Sequence, residues 1–102
     1  MYKASSRNNI ITENAPILSD GFGSITIKNI GDDAAVINDN IPLSAGSSFV
    51  WENHPNVIID ETIYVRFAGV EALQKVLVFK TYYKEDVNNN SNNQQDWKPN
   101  KR

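Results

Sequence analysis

The chain is expected to be all-β: an antiparallel β-sandwich or barrel of about seven short strands with extended N- and C-terminal arms. Three observations predict this. Apolar residues recur at a period of two over much of residues 21–83. Glycine, proline, serine, asparagine and aspartate interrupt that pattern at short intervals. No segment sustains a 3.6-residue apolar period for the length a stable helix needs.

In Ser24-Ile25-Thr26-Ile27-Lys28-Asn29-Ile30, the isoleucines at 25 and 27 face one way and Thr26 and Lys28 the other, as in a strand with one wet side. Gly31-Asp32 supplies a turn. Ala34-Ala35-Val36-Ile37 runs into Asn38-Asp39-Asn40, residue types that tolerate left-handed backbone, before Ile41-Pro42-Leu43 resumes extension. Pro42 has no N–H for a ladder, which places that strand at an edge or a bend. After a turn at Ser44-Ala45-Gly46, Phe49 and Trp51 share a face of a strand over residues 47–52.

Val57-Ile58-Ile59 is a short apolar run read as a further strand, and Ile63-Tyr64-Val65-Arg66-Phe67 alternates with Ile63, Val65 and Phe67 inward. Residues 69–74 contain good helix formers, enough for at most one turn. Val76-Leu77-Val78-Phe79 is apolar on both faces and predicts a central strand, continued by the amphipathic Lys80-Thr81-Tyr82-Tyr83. Three regions follow: an N-terminal arm over 1–20, a β-domain over 21–87 and an Asn-rich tail over 88–102. Ile10-Ile11 and Ile17-Leu18 make the first an extended segment able to add a strand. The tail has little to bury before Trp97, so order there requires a partner.

Composition narrows the function classes. At 102 residues, 40% hydrophobic and 22% charged, the chain suits one modest core. A formal net charge of −2 gives no general field for phosphate, and nucleic acid is not an expected partner. Without cysteine, disulfides and thiolate metal sites are excluded. No run approaches the roughly 20 apolar residues of a helical membrane span, and the first residues lack the apolar core of a secretory signal, so no membrane association is expected.

Catalytic motifs are sparse. His54 is the single histidine, set in an apparent turn; a triad with Ser47 or Ser48 and Asp60 can be written, but no G-x-S-x-G elbow supports it. Asp32-Asp33, Asp39, Asp60-Glu61 and Glu85-Asp86 read as solvated loop charges, because adjacent acids on a strand face opposite ways. Asp32, Asp33, Asn38, Asp39 and Asn40 offer oxygen ligands for calcium but lack the spacing of an EF-hand. Trp51, Tyr64, Tyr82 and Tyr83 could form a sugar platform, which keeps a carbohydrate-binding or adhesin-like module as the alternative. No enzyme activity, metal or cofactor is expected. Trp97 with Lys98, Lys101 and Arg102 at one end, and Lys3 with Arg7 at the other, are the candidate partner-binding residues.

Residues 25–83 also carry a resemblance. Ile27-Lys28-Asn29-Ile30-Gly31, Ala35-Val36-Ile37-Asn38, Ile41-Pro42-Leu43-Ser44-Ala45-Gly46-Ser47-Ser48 and Glu61-Thr62-Ile63-Tyr64-Val65-Arg66-Phe67 resemble small β-sandwich proteins in virions of tailed bacteriophages, more specifically crAss-like phages. The resemblance implies a non-enzymatic auxiliary capsid, or decoration, protein that binds and reinforces the major capsid shell. Its implied partners are the major capsid protein and neighbouring virion proteins, with self-association compatible. Its implied location is the capsid surface, after assembly in the host cytoplasm. A head-fibre, neck or tail component would share the pattern.

Overall fold

The structure, a computed structural model, describes residues 1–85. Within them the chain is all-β, with eight strands: β1 (Tyr2–Ile11), β2 (Ala15–Ile17), β3 (Ser24–Asn29), β4 (Ala35–Ile37), β5 (Ile41–Leu43), β6 (Ser48–Trp51), β7 (Ile63–Phe67) and β8 (Val76–Glu85). They form two four-stranded antiparallel sheets, one ordered β1-β8-β3-β6 and the other β2-β7-β4-β5. This is the expected sandwich, with eight strands in place of about seven.

Two differences account for the count. The apolar run at residues 57–59 forms no strand: Ile59 enters the core while Val57 and Ile58 stay exposed, and the Ile59 N–H donates to the Phe22 carbonyl at 2.9 Å. Residues 1–20, read as an arm, are extended and supply β1 to one sheet and β2 to the other. Residues 69–74 contain no helical turn.

Alternation builds the core. Ile25 and Ile27 of β3, Val76 and Val78 of β8, Ile37 of β4, and Ile63, Val65 and Phe67 of β7 are buried between the sheets, joined by Phe22 and Ile59 from connections. Each such side chain contributes about 1.5–3 kcal/mol by leaving water. Phe49 and Trp51 pack against the core from β6. Pro42 lies on edge strand β5 and Pro16 on edge strand β2, where the missing N–H breaks no ladder. The β4–β5 turn uses left-handed Asn38 (φ 52°) and Asp39 (φ 66°), closed by the Asn40 N–H donating to the Ile37 carbonyl at 3.2 Å.

One end of the sandwich is locked by two buried polar side chains. Asn29, fully buried, donates its amide to the carbonyls of Asp33 at 2.7 Å and Leu43 at 3.0 Å, and its side-chain oxygen accepts from the Gly31 N–H at 3.1 Å. Gly31 must be glycine because a Cβ would lie 2.5 Å from the Leu73 carbonyl oxygen. Asp33, also fully buried, accepts from the N–H groups of Gly69 at 2.7 Å and of Val70 and Glu71 at 3.1 Å each. Taking Asp33 for a solvated loop charge is therefore corrected: its carboxylate replaces water for three backbone donors of the β7–β8 loop.

Burial alone would push the Asp33 carboxyl up, but those donors and Gln74 hold it below the ordinary aspartate range. A depressed carboxylate adds stability above its unfolded pKa of about 3.9 and loses it as the pH falls through the lowered value. Wild-type protein should accordingly shed stability on acidification below about pH 4. Asp33→Asn, which turns one acceptor into a donor facing N–H groups, is expected to lower Tm by about 10 °C at neutral pH and to lose that part of the acid slope. Thermal melts of both proteins from pH 7 to pH 2 check this.

Candidate interaction surface

Directly opposed residues in an antiparallel pair point to the same side, so the register fixes what the first sheet presents to solvent. One row across it is Ile10, Leu77, Lys28 and Ser48; the next is Asn8, Phe79, Thr26 and Val50. Ile10, Phe79 and Val50 are 49%, 40% and 53% exposed, and Leu77 is half-buried beside them. These side chains place apolar surface on β1, β8 and β6, interrupted by Thr26 and bordered by Lys28. An apolar patch spanning a sheet and rimmed by polar groups is the usual form of a protein-binding surface.

The outer face of the second sheet is different. Arg66 pairs with Asp39 there, and Pro16, Pro42 and Tyr64 share the face. A shallow groove lined by Asn14, Pro16, Tyr64 and Arg66 runs beside β2. Its Arg66 and Asp39 pair with each other, so the charge on this face is taken up within the fold.

Of the residues singled out from the sequence as partner-binding, Lys3 and Arg7 lie on β1. Trp97, Lys98, Lys101 and Arg102 lie outside the described residues. Arg7 is not simply projected into solvent: its guanidinium carbon sits 5.3 Å from the centroid of the Tyr82 ring. Tyr82 in turn meets Phe22 edge-on at 6.5 Å, and its hydroxyl donates to Asp20 at 3.0 Å. Lys80 reaches the same carboxylate at 3.3 Å and stands 5.3 Å over the Phe22 ring. Burial, then the hydrogen bond and charge of Asp20, push the Tyr82 phenol above its ordinary value, while Arg7 opposes them. This cluster ties β1 and β8 to the body of the sandwich.

An open cleft of about 280 Å³ lies between β1 and β8 on one side and β2 on the other, lined by residues including Asn9, Ile11, Leu18, Asp20 and Lys80. Its one carboxylate, Asp20, is already engaged by Lys80 and Tyr82. The histidine written into a triad is exposed in the turn after β6, its Nδ1 2.8 Å from the Asn56 side-chain oxygen, whereas the Ser47 hydroxyl pairs with that of Ser44. Asp33 cannot serve a calcium ion while its oxygens accept from backbone N–H groups, and among the described residues no group of three or more His, Asp and Glu side chains is placed to hold a metal. Trp51, proposed for a sugar platform, points inward against the core, and Tyr82 is held by Asp20 and Phe22.

Sequence reasoning did not single out Ile10, Val50, Leu77 and Phe79 as a surface. The signal was present as an apolar residue at every position from 76 to 79, which implies a strand covered on both faces, whereas here the outer face of β8 has no covering layer among the described residues. Comparison of the chain with protein-family models, curated proteins and solved structures gives no match.

Proposed function

We propose that this chain is a non-enzymatic structural protein of a virion, an auxiliary capsid protein that binds the major capsid shell through the outer face of its first sheet. The observation that carries the reading is the apolar surface on that face, with Ile10, Phe79 and Val50 exposed and Leu77 half-buried among them. A rigid sandwich supplies a fixed shape behind it, and many identical shell sites allow modest contacts per copy to suffice. The resemblance over residues 25–83 supplies the identity of the partner. The major capsid protein and its virion neighbours are the partners under this reading, and the capsid surface is the location.

Co-sedimentation with shells assembled from the major capsid protein of the same virion tests it. Wild-type protein should pellet with shells and saturate. Phe79→Asp places a charge in the centre of the patch without touching the core, and should weaken binding by at least about tenfold. Undiminished binding by a folded Phe79→Asp variant would move the interface elsewhere. Failure of the wild type to bind would remove the capsid reading.

A further inference from the structure

Strand β1 forms an edge of the first sheet, and among the described residues its one strand neighbour is β8. One side of its backbone therefore presents, over 10 residues, N–H and C=O groups that no described strand takes. The other sheet edges are short, with 3 residues in β2, 3 in β5 and 4 in β6, and Pro16 and Pro42 interrupt two of them. β1 contains neither proline nor glycine. A long regular edge of this kind is a template for a further strand.

The register decides what that strand must carry, because directly opposed residues share a side. On the side turned toward the second sheet, Lys3 stands opposite Lys84, Ser5 opposite Tyr82 and Arg7 opposite Lys80, followed by Asn9 and the buried Ile11. Positive charge is crowded there, and neither strand places an acid among it; Glu85 faces the other way, opposite Tyr2. Like charges directly opposed across a ladder cost stability. Asp20 reaches this side from outside the two strands and is engaged by Lys80 and Tyr82. On its other side β1 carries Tyr2, Ala4, Ser6, Asn8 and Ile10, all uncharged.

We propose that the free edge of β1 takes an extended acidic segment of a partner protein as an added strand, with Asp or Glu on the side of Lys3 and Arg7 and uncharged residues on the other. Backbone hydrogen bonds hold the segment and the cations select it. Spacing requires an extended partner. Lys3 and Arg7 lie about 14 Å apart along β1, a distance that positions i and i+4 of another strand match, whereas those positions of a helix rise only about 6 Å. A second copy of this chain fits poorly: edge-to-edge pairing with matched faces brings a further Lys3 and Arg7 to the same side and no acid. The net charge of −2 opposes a long polyanion such as nucleic acid, while a short acidic segment meets the local field of the cations. The proposal does not rest on the capsid reading.

The test titrates the full-length protein with short end-blocked peptides, followed by NMR. One alternates Glu and Thr, one alternates Gln and Thr, and one carries the same Glu and Thr gathered into two blocks. The alternating Glu peptide should bind at least about tenfold more tightly than either control. Its affinity should fall with added salt, and it should protect from exchange the alternate β1 amides that point away from β8. Arg7→Gln should weaken binding at least about tenfold. Because Arg7 also covers the Tyr82 ring, Lys84→Glu is the second variant. Lys84 is exposed, and its replacement turns a like-charged pair into an opposite one, so Tm should hold or rise while binding weakens at least about threefold. No binding of the alternating Glu peptide, equal binding of the block peptide, or binding that leaves the β1 amides unprotected would overturn the proposal. Tighter binding of an oligothymidylate would overturn it in favour of nucleic acid. Protection of β1 that rises with protein concentration, without peptide, would overturn it in favour of a second copy.

Discussion

Asn29→Asp is expected to destabilise the fold by about 3–5 kcal/mol at neutral pH, the cost of leaving a buried charge without a partner. The wild-type amide satisfies the carbonyls of Asp33 and Leu43 while its oxygen takes the Gly31 N–H, so all three of its bonds end on backbone. A carboxylate keeps the bond from Gly31 but turns an acceptor toward two other acceptors. Three connections then lose a common anchor: the loop after β3, the end of β5 and, through Asp33, the loop before β8. Burial against carbonyl oxygens raises the folded pKa of the new acid, so the penalty should shrink as the pH falls through that raised value, since the protonated acid can donate once. Asn29→Ala leaves partners unpaired without adding charge, should cost about 2–3 kcal/mol, and should show no such relief. Urea unfolding of the three proteins at neutral and mildly acid pH separates these outcomes.

Phe22→Ala should be comparably severe, at about 3–5 kcal/mol. Phe22 is fully buried, although it lies in a connection between β2 and β3 rather than in a strand. Its ring fills the core near the β1–β8 end, receives the edge of Tyr82, and lies under the Lys80 ammonium. Truncation removes all three contacts and leaves a cavity beneath the paired strands β1 and β8. At about 4–8 °C per kcal/mol for a domain of this size, Tm should fall by roughly 12–40 °C. Hydrogen exchange should show the β1–β8 ladder losing protection beyond the global change, because the cluster joining it to the sandwich has lost its centre. A melt and an amide-exchange profile of the variant check both parts.

The elements most legible in the sequence are those whose own side chains alternate. Residues Ile25 and Ile27, or Ile63, Val65 and Phe67, announce a strand and its buried face without reference to a partner. Pro42 announced its edge position by the N–H it lacks. In β1, by contrast, Lys3, Ser5, Ser6, Arg7, Asn8 and Asn9 form no apolar alternation, since the strand exists by completing the edge of β8 and buries almost nothing. The run at 57–59 misled for the opposite reason: it is apolar, yet one of its three side chains suffices for the core.

Asn29 and Asp33 look like turn residues because their types are common in turns. Their roles depend on backbone brought in from afar, with Gly69 lying 36 residues beyond Asp33, and local spacing carries no trace of that meeting. The apolar face was half-visible in the same way. Val76-Leu77-Val78-Phe79 showed that both sides of β8 are apolar, but only the pairing of β8 with β1 puts Ile10 beside Leu77, and only that of β3 with β6 puts Val50 on the same face, across Thr26 from Phe79.

Cryo-electron microscopy of shells saturated with wild-type protein tests the central claim most directly, because it shows which face is covered. The sandwich should sit with Phe79, Val50 and Ile10 against the shell and the Arg66–Asp39 pair toward solvent. Density with the first sheet facing outward, or shells that carry no added density, would contradict it.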